Sequence, residues 1–293
     1  MKFLVLGATG TVGSAVVSEL LARGQQVRAL TRDPAKAGSL PASVERVRGD
    51  VLEPATVRSV FDGVDGAFIL NPVSQTEATE GIMAVSGART AGVRRLVYMS
   101  VQHADRAAYL PHFGGKLGVE AAVKQSNAAW TILRPSNFHQ NDHWFRDAIL
   151  KHGVYPQPLG SVGVSRVDVR DIAELAARAL VDGGHEERTY DLVGPRPVTG
   201  PECAEIWSRA LGRPIAYGGD DLVAWEKQFL NYLPAWMVYD FGLMYAHFQK
   251  HGLRATDDEV ALLTKALGHA PRSLEAFVAE AAKAWAAQGV GAS

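Results

Sequence analysis

Seven residues near the start of the chain, Gly7-Ala8-Thr9-Gly10-Thr11-Val12-Gly13, limit its fold more than any other stretch. They follow the apolar run KFLVL (2–6) and open an amphipathic stretch from Thr11 to Arg23. Between a strand and a helix, the first glycine permits a tight turn and the second lets the backbone approach a pyrophosphate. The third lets the helix lie close to the strand. The helix N-terminus then presents free N–H groups and a dipole that favour an anion. A lysine followed by apolar residues also begins secretory leaders, but here the apolar core is only Phe3 to Leu6 before glycine interrupts it. Cys203 is the one cysteine, which permits no intrachain disulfide and points to a reducing, cytoplasmic setting. No stretch nears the ~18 consecutive apolar residues of a membrane span.

The rest of the first half strengthens the nucleotide reading. Strand-like runs QVRAL (26–30), VERVR (44–48), GAFIL (66–70), RLVYMS (95–100) and WTILRP (130–135) alternate with amphipathic stretches such as Glu77–Ala91 and Lys116–Gln125. That rhythm predicts an α/β, doubly wound parallel sheet with strand order 3-2-1-4-5-6. Past residue 150 the rhythm changes. Asp171–Val181 reads as a helix, and TYDLV (189–193) as a strand that rejoins the sheet. The expected division is a nucleotide-binding domain over 1–155 and a smaller, mostly helical domain over 156–293. Formal net charge is −1 with no long basic run, which argues against nucleic acid as a partner.

The end of the second strand selects the nucleotide. A carboxylate there suits the ribose 2′-hydroxyl of NAD, and an arginine suits the 2′-phosphate of NADP. The sequence is VRALTRDP, which puts Thr31 and Arg32 at that end and Lys36 one turn further. NADP(H) is therefore the expected cofactor, with NAD(H) possible, because the guanidinium fork matches phosphate. Asp33, just before Pro34, reads as a helix N-cap. Asp50 in RGDVLEP reads either as an adenine-side contact or as a cap for the helix near Pro54.

GATGTVGS, VRALTRDP, RGDVLEP, HFGGKLGVEAAVKQS, WTILRPSNFHQN and the closing LTKALGHAPRSLEAFV, in this order, resemble the NmrA-like group of atypical short-chain dehydrogenases. That group includes type-2 NAD(P)H:quinone oxidoreductases, triphenylmethane reductase, and the nucleotide-binding regulators NmrA and HSCARG-like proteins. The resemblance implies an extended Rossmann domain with a small C-terminal substrate domain. It also implies cofactor contacts at Gly7, Thr9, Gly10, Thr11, Val12, Gly13, Thr31, Arg32, Asp50, Val51, Leu70, Asn71, Pro72, Ser100, Lys116, Pro135, Ser136, Asn137 and Phe138.

Catalysis is where the chain departs from ordinary short-chain dehydrogenases. They use a tyrosine and a lysine four residues apart, and no YxxxK occurs here. Lys116 stands where that lysine should, with His112 four residues before it. Lys116 either holds the nicotinamide ribose or is a surface lysine paired with Glu120. His112 either donates a proton or hydrogen-bonds substrate, or it is a structural residue at a helix start. Hydride addition to a simple ketone makes a basic alkoxide that needs a positioned acid. Hydride addition to a quinone makes a phenolate-like anion, with a pKa of roughly 10, which water can protonate. The missing tyrosine thus favours quinone-like or other conjugated acceptors.

His139 and His143 stand four apart as a possible metal pair without an evident third ligand, so no metal is expected. GVSRV (163–167) lacks the last glycine of a nucleophile elbow, which disfavours a serine hydrolase. Trp225, Phe229, Tyr232, Trp236 and Tyr239 fall on one helical face. That face either packs on the sheet domain or walls a pocket, with Pro234 starting a new helix. Two functions fit: an NADPH-dependent reductase of small conjugated acceptors, or a nucleotide-sensing regulator acting through a protein partner.

Overall fold

The computed structural model describes residues 1–33 and 36–290. In chain order the elements are β1 (Lys2–Val5), α1 (Thr11–Ala22), β2 (Gln26–Thr31), β3 (Glu45–Arg48), α2 (Pro54–Ser59), β4 (Gly66–Ile69), α3 (Glu77–Thr90), β5 (Arg95–Met99), α4 (Pro111–Lys124) and β6 (Ala129–Pro135). They continue as α5 (Arg146–His152), β7 (Val154–Tyr155), α6 (Val169–Val181), β8 (Arg188–Leu192), α7 (Gly200–Leu211), β9 (Ala216–Tyr217), α8 (Leu222–Phe229), α9 (Ala235–His251), α10 (Asp257–Leu267) and α11 (Leu274–Val290).

The chain forms two compact units. One is Met1–Pro135 with Val169–Leu192, and the other is Ser136–Asp168 with everything from Val193 onward.

The first unit is a seven-stranded sheet in the order β3-β2-β1-β4-β5-β6-β8, every neighbouring pair parallel. Parallel strands need crossovers, and helices on both faces explain why β4 is buried along its whole length. Leu4, Ile69, Tyr98 and Ile132 point to one face and pack with Val85 of α3 and Val119 of α4. On the other face lie α1 and α6, packed together. Val16, Val17 and Leu20 of α1 are fully buried, each contributing roughly 1.5–3 kcal/mol. The strand after residue 188 does rejoin the sheet, in register Thr131↔Arg188 to Pro135↔Leu192.

The second unit is mostly helical, with a two-strand parallel ribbon of β7 and β9. Capping boxes at Thr199/Glu202 and Thr256/Glu259 start α7 and α10. Trp207 and Trp285 stack at 4.5 Å between centroids. Pro234 is the N-cap of α9, so the aromatic run is split between two helices as expected. It is not one packed face: Trp225 is buried, while Tyr232 and Tyr239 are exposed. The break at Pro234 changes the phase of the stripe. Among the described residues, no helix is long and apolar enough to cross a membrane.

Candidate functional site

At the carboxyl ends of β1 to β4, where the order turns from β2 on one side of β1 to β4 on the other, lies a cleft of about 380 Å³. Such switch points are where open α/β sheets hold ligands, because the loops diverge there. The walls are Leu6–Gly10 without Ala8, the β2 end from Leu30 to Asp33, Gly49–Val51, Leu70–Pro72 and Glu80.

The three glycines of the loop do different things. Gly7 sits at φ +69°, which only glycine adopts without strain, and its carbonyl accepts from the Gly10 amide at 3.0 Å. Gly13 meets the loop head on: a Cβ there would stand 2.1 Å from the Gly7 oxygen. Gly10 has no such reason. Its backbone is extended at φ −86°, and an added Cβ would meet only the Gly7 oxygen, at 3.4 Å. The fold does not require glycine at position 10, and the space above it is open. Gly10 is also the N-cap of α1, where no side chain caps the helix and no acidic residue occupies the first turn. First-turn amides have no intrahelical acceptor, so this end offers donors and positive potential to an anion. Loop, helix end and open space fit a pyrophosphate.

Arg32 has a side chain 66% exposed, with Nη1 4.0 Å from Asp50 Oδ2. At that distance and exposure the pair contributes little to stability and leaves the guanidinium available. The Thr31 hydroxyl is engaged locally, donating to the Asp33 carbonyl at 2.8 Å. Asp50 does not cap the following helix. Its Oδ1 accepts from the Leu52 amide at 2.9 Å in an Asx turn, and Glu53 holds the N-cap position of α2. The cap expected at Asp33 rests on Pro34 and Ala35, and the Lys36 side chain was expected one turn beyond Arg32. Both lie outside the described residues.

Of the residues the sequence singles out, the cleft gathers Gly7, Thr9, Gly10, Thr31, Arg32, Asp50, Val51, Leu70, Asn71 and Pro72. Thr11, Val12 and Gly13 form the first turn of α1 behind the loop. Pro135 ends β6. Ser136, Asn137 and Phe138 belong to the second unit, where Asn137 Oδ1 accepts from Arg166 Nε at 2.9 Å.

Lys116 is not a surface lysine and does not pair with Glu120. It is buried, with Nζ 2.6 Å from Glu77 Oε1, both side chains 7% exposed. Glu120 instead takes both ends of Arg134, at 2.9 and 2.8 Å, and the Ser100 hydroxyl at 2.5 Å. The reason is direction: at this depth Lys116 reaches α3, and the Arg134 fork fits the Glu120 carboxylate bidentately. Tyr98 on β5 is a buried neighbour that sequence spacing does not reveal. Burial, reinforced by Glu77 and Glu120, pushes its hydroxyl well above the ordinary tyrosine range. It therefore keeps its proton. His112 is the second residue of α4, partly exposed and edge-on to Phe113 at 4.7 Å.

His139 and His143 lie on a 3₁₀ helix, His139–Phe145, and both rings pack against Phe277, at 5.7 and 5.3 Å between centroids. His139 Nε2 lies 3.1 Å from the Arg166 carbonyl oxygen, and His143 packs edge-on to Phe277 and Trp285.

Sequence reasoning missed the second unit's buried centre. Arg166 Nη2 donates to Asp142 Oδ1 at 2.8 Å, and its Nη1 donates to the Tyr155 hydroxyl at 3.0 Å. Asp142 also accepts Gln157 Nε2 at 2.8 Å and Trp207 Nε1 at 2.9 Å. Burial pulls the guanidinium toward its neutral form, but the Asp142 carboxylate outweighs it and raises the Arg166 pKa. Cys203, beside them, is pushed up to about 11 by burial.

Comparison with known proteins agrees with this architecture. The model of the NmrA-like family matches residues 1–278. An NAD(P)H azoreductase of Xenophilus azovorans is 38% identical over 73% of this chain and 75% of its own. A (4-alkanoyl-5-oxo-2,5-dihydrofuran-3-yl)methyl phosphate reductase of Streptomyces griseus is 32% identical over 97% and 99%. The NADPH-dependent quinone oxidoreductase of Escherichia coli, solved with NADPH, superposes with a TM-score of 0.84 at 25% identity, covering 95% of this chain and 99% of that one.

Proposed function

This chain belongs to the NmrA-like family, and from that premise we propose that the protein, an NAD(P)H-dependent reductase, prefers NADPH and reduces quinone-like or other conjugated small molecules. The observation that carries the cofactor choice is Arg32. Its guanidinium is exposed at the end of β2 and lines the same cleft as the open space over Gly10. By this reading Arg32 takes the 2′-phosphate and the first turn of α1 takes the pyrophosphate. Once bound, the nicotinamide supplies a hydride.

The chain's own groups set the acceptor class. Tyr98 is fully buried in β5 and Lys116 is buried against Glu77, so neither is presented to a substrate as the acid a strongly basic alkoxide needs. Acceptors whose reduced form is a weakly basic oxyanion or nitrogen anion need no such group. Quinones give a phenolate and conjugated enones an enolate oxygen. Triphenylmethane dye cations become neutral on accepting hydride, and hydroxylated azo dyes react as their quinone-hydrazone tautomers. None of the four needs a strong positioned acid. A second reading, a nucleotide sensor acting on a protein partner, is favoured by the same Lys116–Glu77 pair, which ties down the one lysine expected at the ribose.

The deciding experiment is NADPH oxidation followed at saturating cofactor across those four acceptor classes. Turnover of at least one class with no turnover of simple ketones supports the reading. Loss of turnover in His112→Ala, with the acid-dependent limb removed from the pH–rate profile, would make histidine the proton donor and readmit ketones. Bound NADPH that no acceptor oxidises, but that alters capture of a protein partner, would establish the sensor.

A further inference from the structure

In the second unit, α9 carries a pair of histidines that the nucleotide cleft does not use. His247 and His251 stand four residues apart within one α-helix, Ala235–His251, and so share a face one turn apart. Their ring centroids are 5.0 Å apart, and the ring planes are tilted by 40°. Rings that meet for contact alone prefer stacked or edge-to-face arrangements, and this is neither. Two imidazoles bound to one ion, with each nitrogen at about 2.0–2.1 Å and a near-tetrahedral angle between them, have centroids about 5 Å apart. The pair is therefore held at the spacing of a chelate. Both residues are reached by solvent, His247 half-buried and His251 exposed.

The surroundings select the kind of ion. His251 is the last residue of α9, and Gly252 turns the chain away at φ +72°. The carbonyl end of a helix favours a cation in its last turn. Lys250 on the same turn opposes that and keeps the site weak. The stretch HFQKH (247–251) offers imidazoles and neither thiolate nor carboxylate. Magnesium and calcium take oxygen ligands, whereas imidazole suits zinc, nickel and copper. Two histidines at this spacing on one helix face are a zinc-binding pattern, but Phe248 stands where hydrolytic sites carry their glutamate base. Such a site holds an ion without hydrolysing anything.

We propose that His247 and His251 together bind one divalent transition ion of the zinc, nickel and copper type. One nitrogen of each ring makes the bond, and the other is left for the contact that orients the ring. Water fills the remaining positions, because the pair lies at the surface. The ion clamps the last turn of α9, where the chain passes to Leu253 and its amide bonds the Gly163 carbonyl at 3.0 Å. The site is independent of the reductase reading and adds no step to it.

The test is calorimetric titration with Zn²⁺ at pH 7.5 of the full chain, stripped of metal by a chelator and carrying no added histidine tag. Saturable binding is expected, weakened at least about tenfold by His247→Ala and likewise by His251→Ala. The double variant should bind no more weakly than either single one, because losing one arm already ends the chelate. Zn²⁺ should also raise the melting temperature of the unmodified chain more than that of the variants, and Mg²⁺ should do neither. His251 is exposed, so its variant carries the comparison if His247→Ala does not fold. No saturable binding to the unmodified chain, or binding left unchanged by either substitution, overturns the proposal.

Discussion

The two polar centres of this molecule are built to opposite rules. Around Arg166 and Asp142, both carboxylate oxygens are taken and the guanidinium reaches several different residues, with both side chains fully buried. Around the glycine loop, bonds are missing: an uncapped helix start, an exposed guanidinium, an unpaired Asn71 oxygen and a space that glycine leaves at position 10. Closed polar networks position a chain, because every donor left open in a dry interior costs free energy. Open ones persist only where something else completes them. The difference separates polar residues that serve the fold from those that serve a ligand.

The sharpest way to break the contrast is Asp142→Ala. It strands the Arg166 charge, with Tyr155, Gln157 and Trp207 losing their shared acceptor. Loss of about 3–5 kcal/mol in urea unfolding is expected, as for other buried pairs cut on one side. A loss under about 1 kcal/mol would show that the network is not the anchor its geometry implies.

The loop should respond in the other way. Gly10→Val should abolish measurable NADPH binding, a loss of at least about 100-fold or about 2.7 kcal/mol, with the unfolding midpoint nearly unchanged. Gly13→Ala should lower the midpoint instead, since its Cβ would sit 2.1 Å from the Gly7 oxygen. The pair of measurements fails if both variants behave alike.

Next in size is Arg32→Ala, which should weaken NADPH by about tenfold or more and leave NADH nearly as it was. Equal loss for both cofactors would remove the 2′-phosphate role.

The smallest effect concerns pH. Burial lowers the pKa of His139, with Asp168 opposing. The folded pKa is below the unfolded value near 6.5, so the stability it lends is full above that pH and is lost as pH falls through the window beneath it. His139→Gln should therefore shrink the difference in unfolding free energy between pH 7.5 and pH 5. An unchanged difference would mean that other groups carry the acid sensitivity.

Local pattern was enough for much of this. The strand runs, the order 3-2-1-4-5-6, the glycine loop and Arg32 at the end of β2 all depend on neighbours in sequence, and each was legible. What was not legible depends on distance or on turn geometry. Arg166 lies in a stretch with no periodicity, and its partners run from Asn137 to Cys203. Lys116 meets Glu77 across 39 positions, while the candidate at helical spacing, Glu120, is taken by Arg134. His139 and His143, four apart in sequence, lie on a 3₁₀ helix and both pack against Phe277 from a distant helix, a contact that spacing alone does not show. Asn71 differs again: it was expected at the cofactor, but nothing in sequence tells that its side-chain oxygen is buried without a partner.

The sheet is closed by a strand made late. β6 pairs with β8, and between them the chain leaves this unit at Pro135 and re-enters at Val169. During synthesis β6 is therefore a bare edge, with Ile132 and Leu133 wholly buried in the finished protein, until Arg188–Leu192 has been made. At about 5–20 residues per second, that exposure lasts on the order of seconds on the ribosome. A chain cut at residue 155 never ends it, and also lacks α6, which covers α1. The nucleotide-binding unit is thus not a detachable N-terminal half. The seven-stranded sheet is complete only once Leu192 has been made, and shorter pieces should pair edge to edge and aggregate.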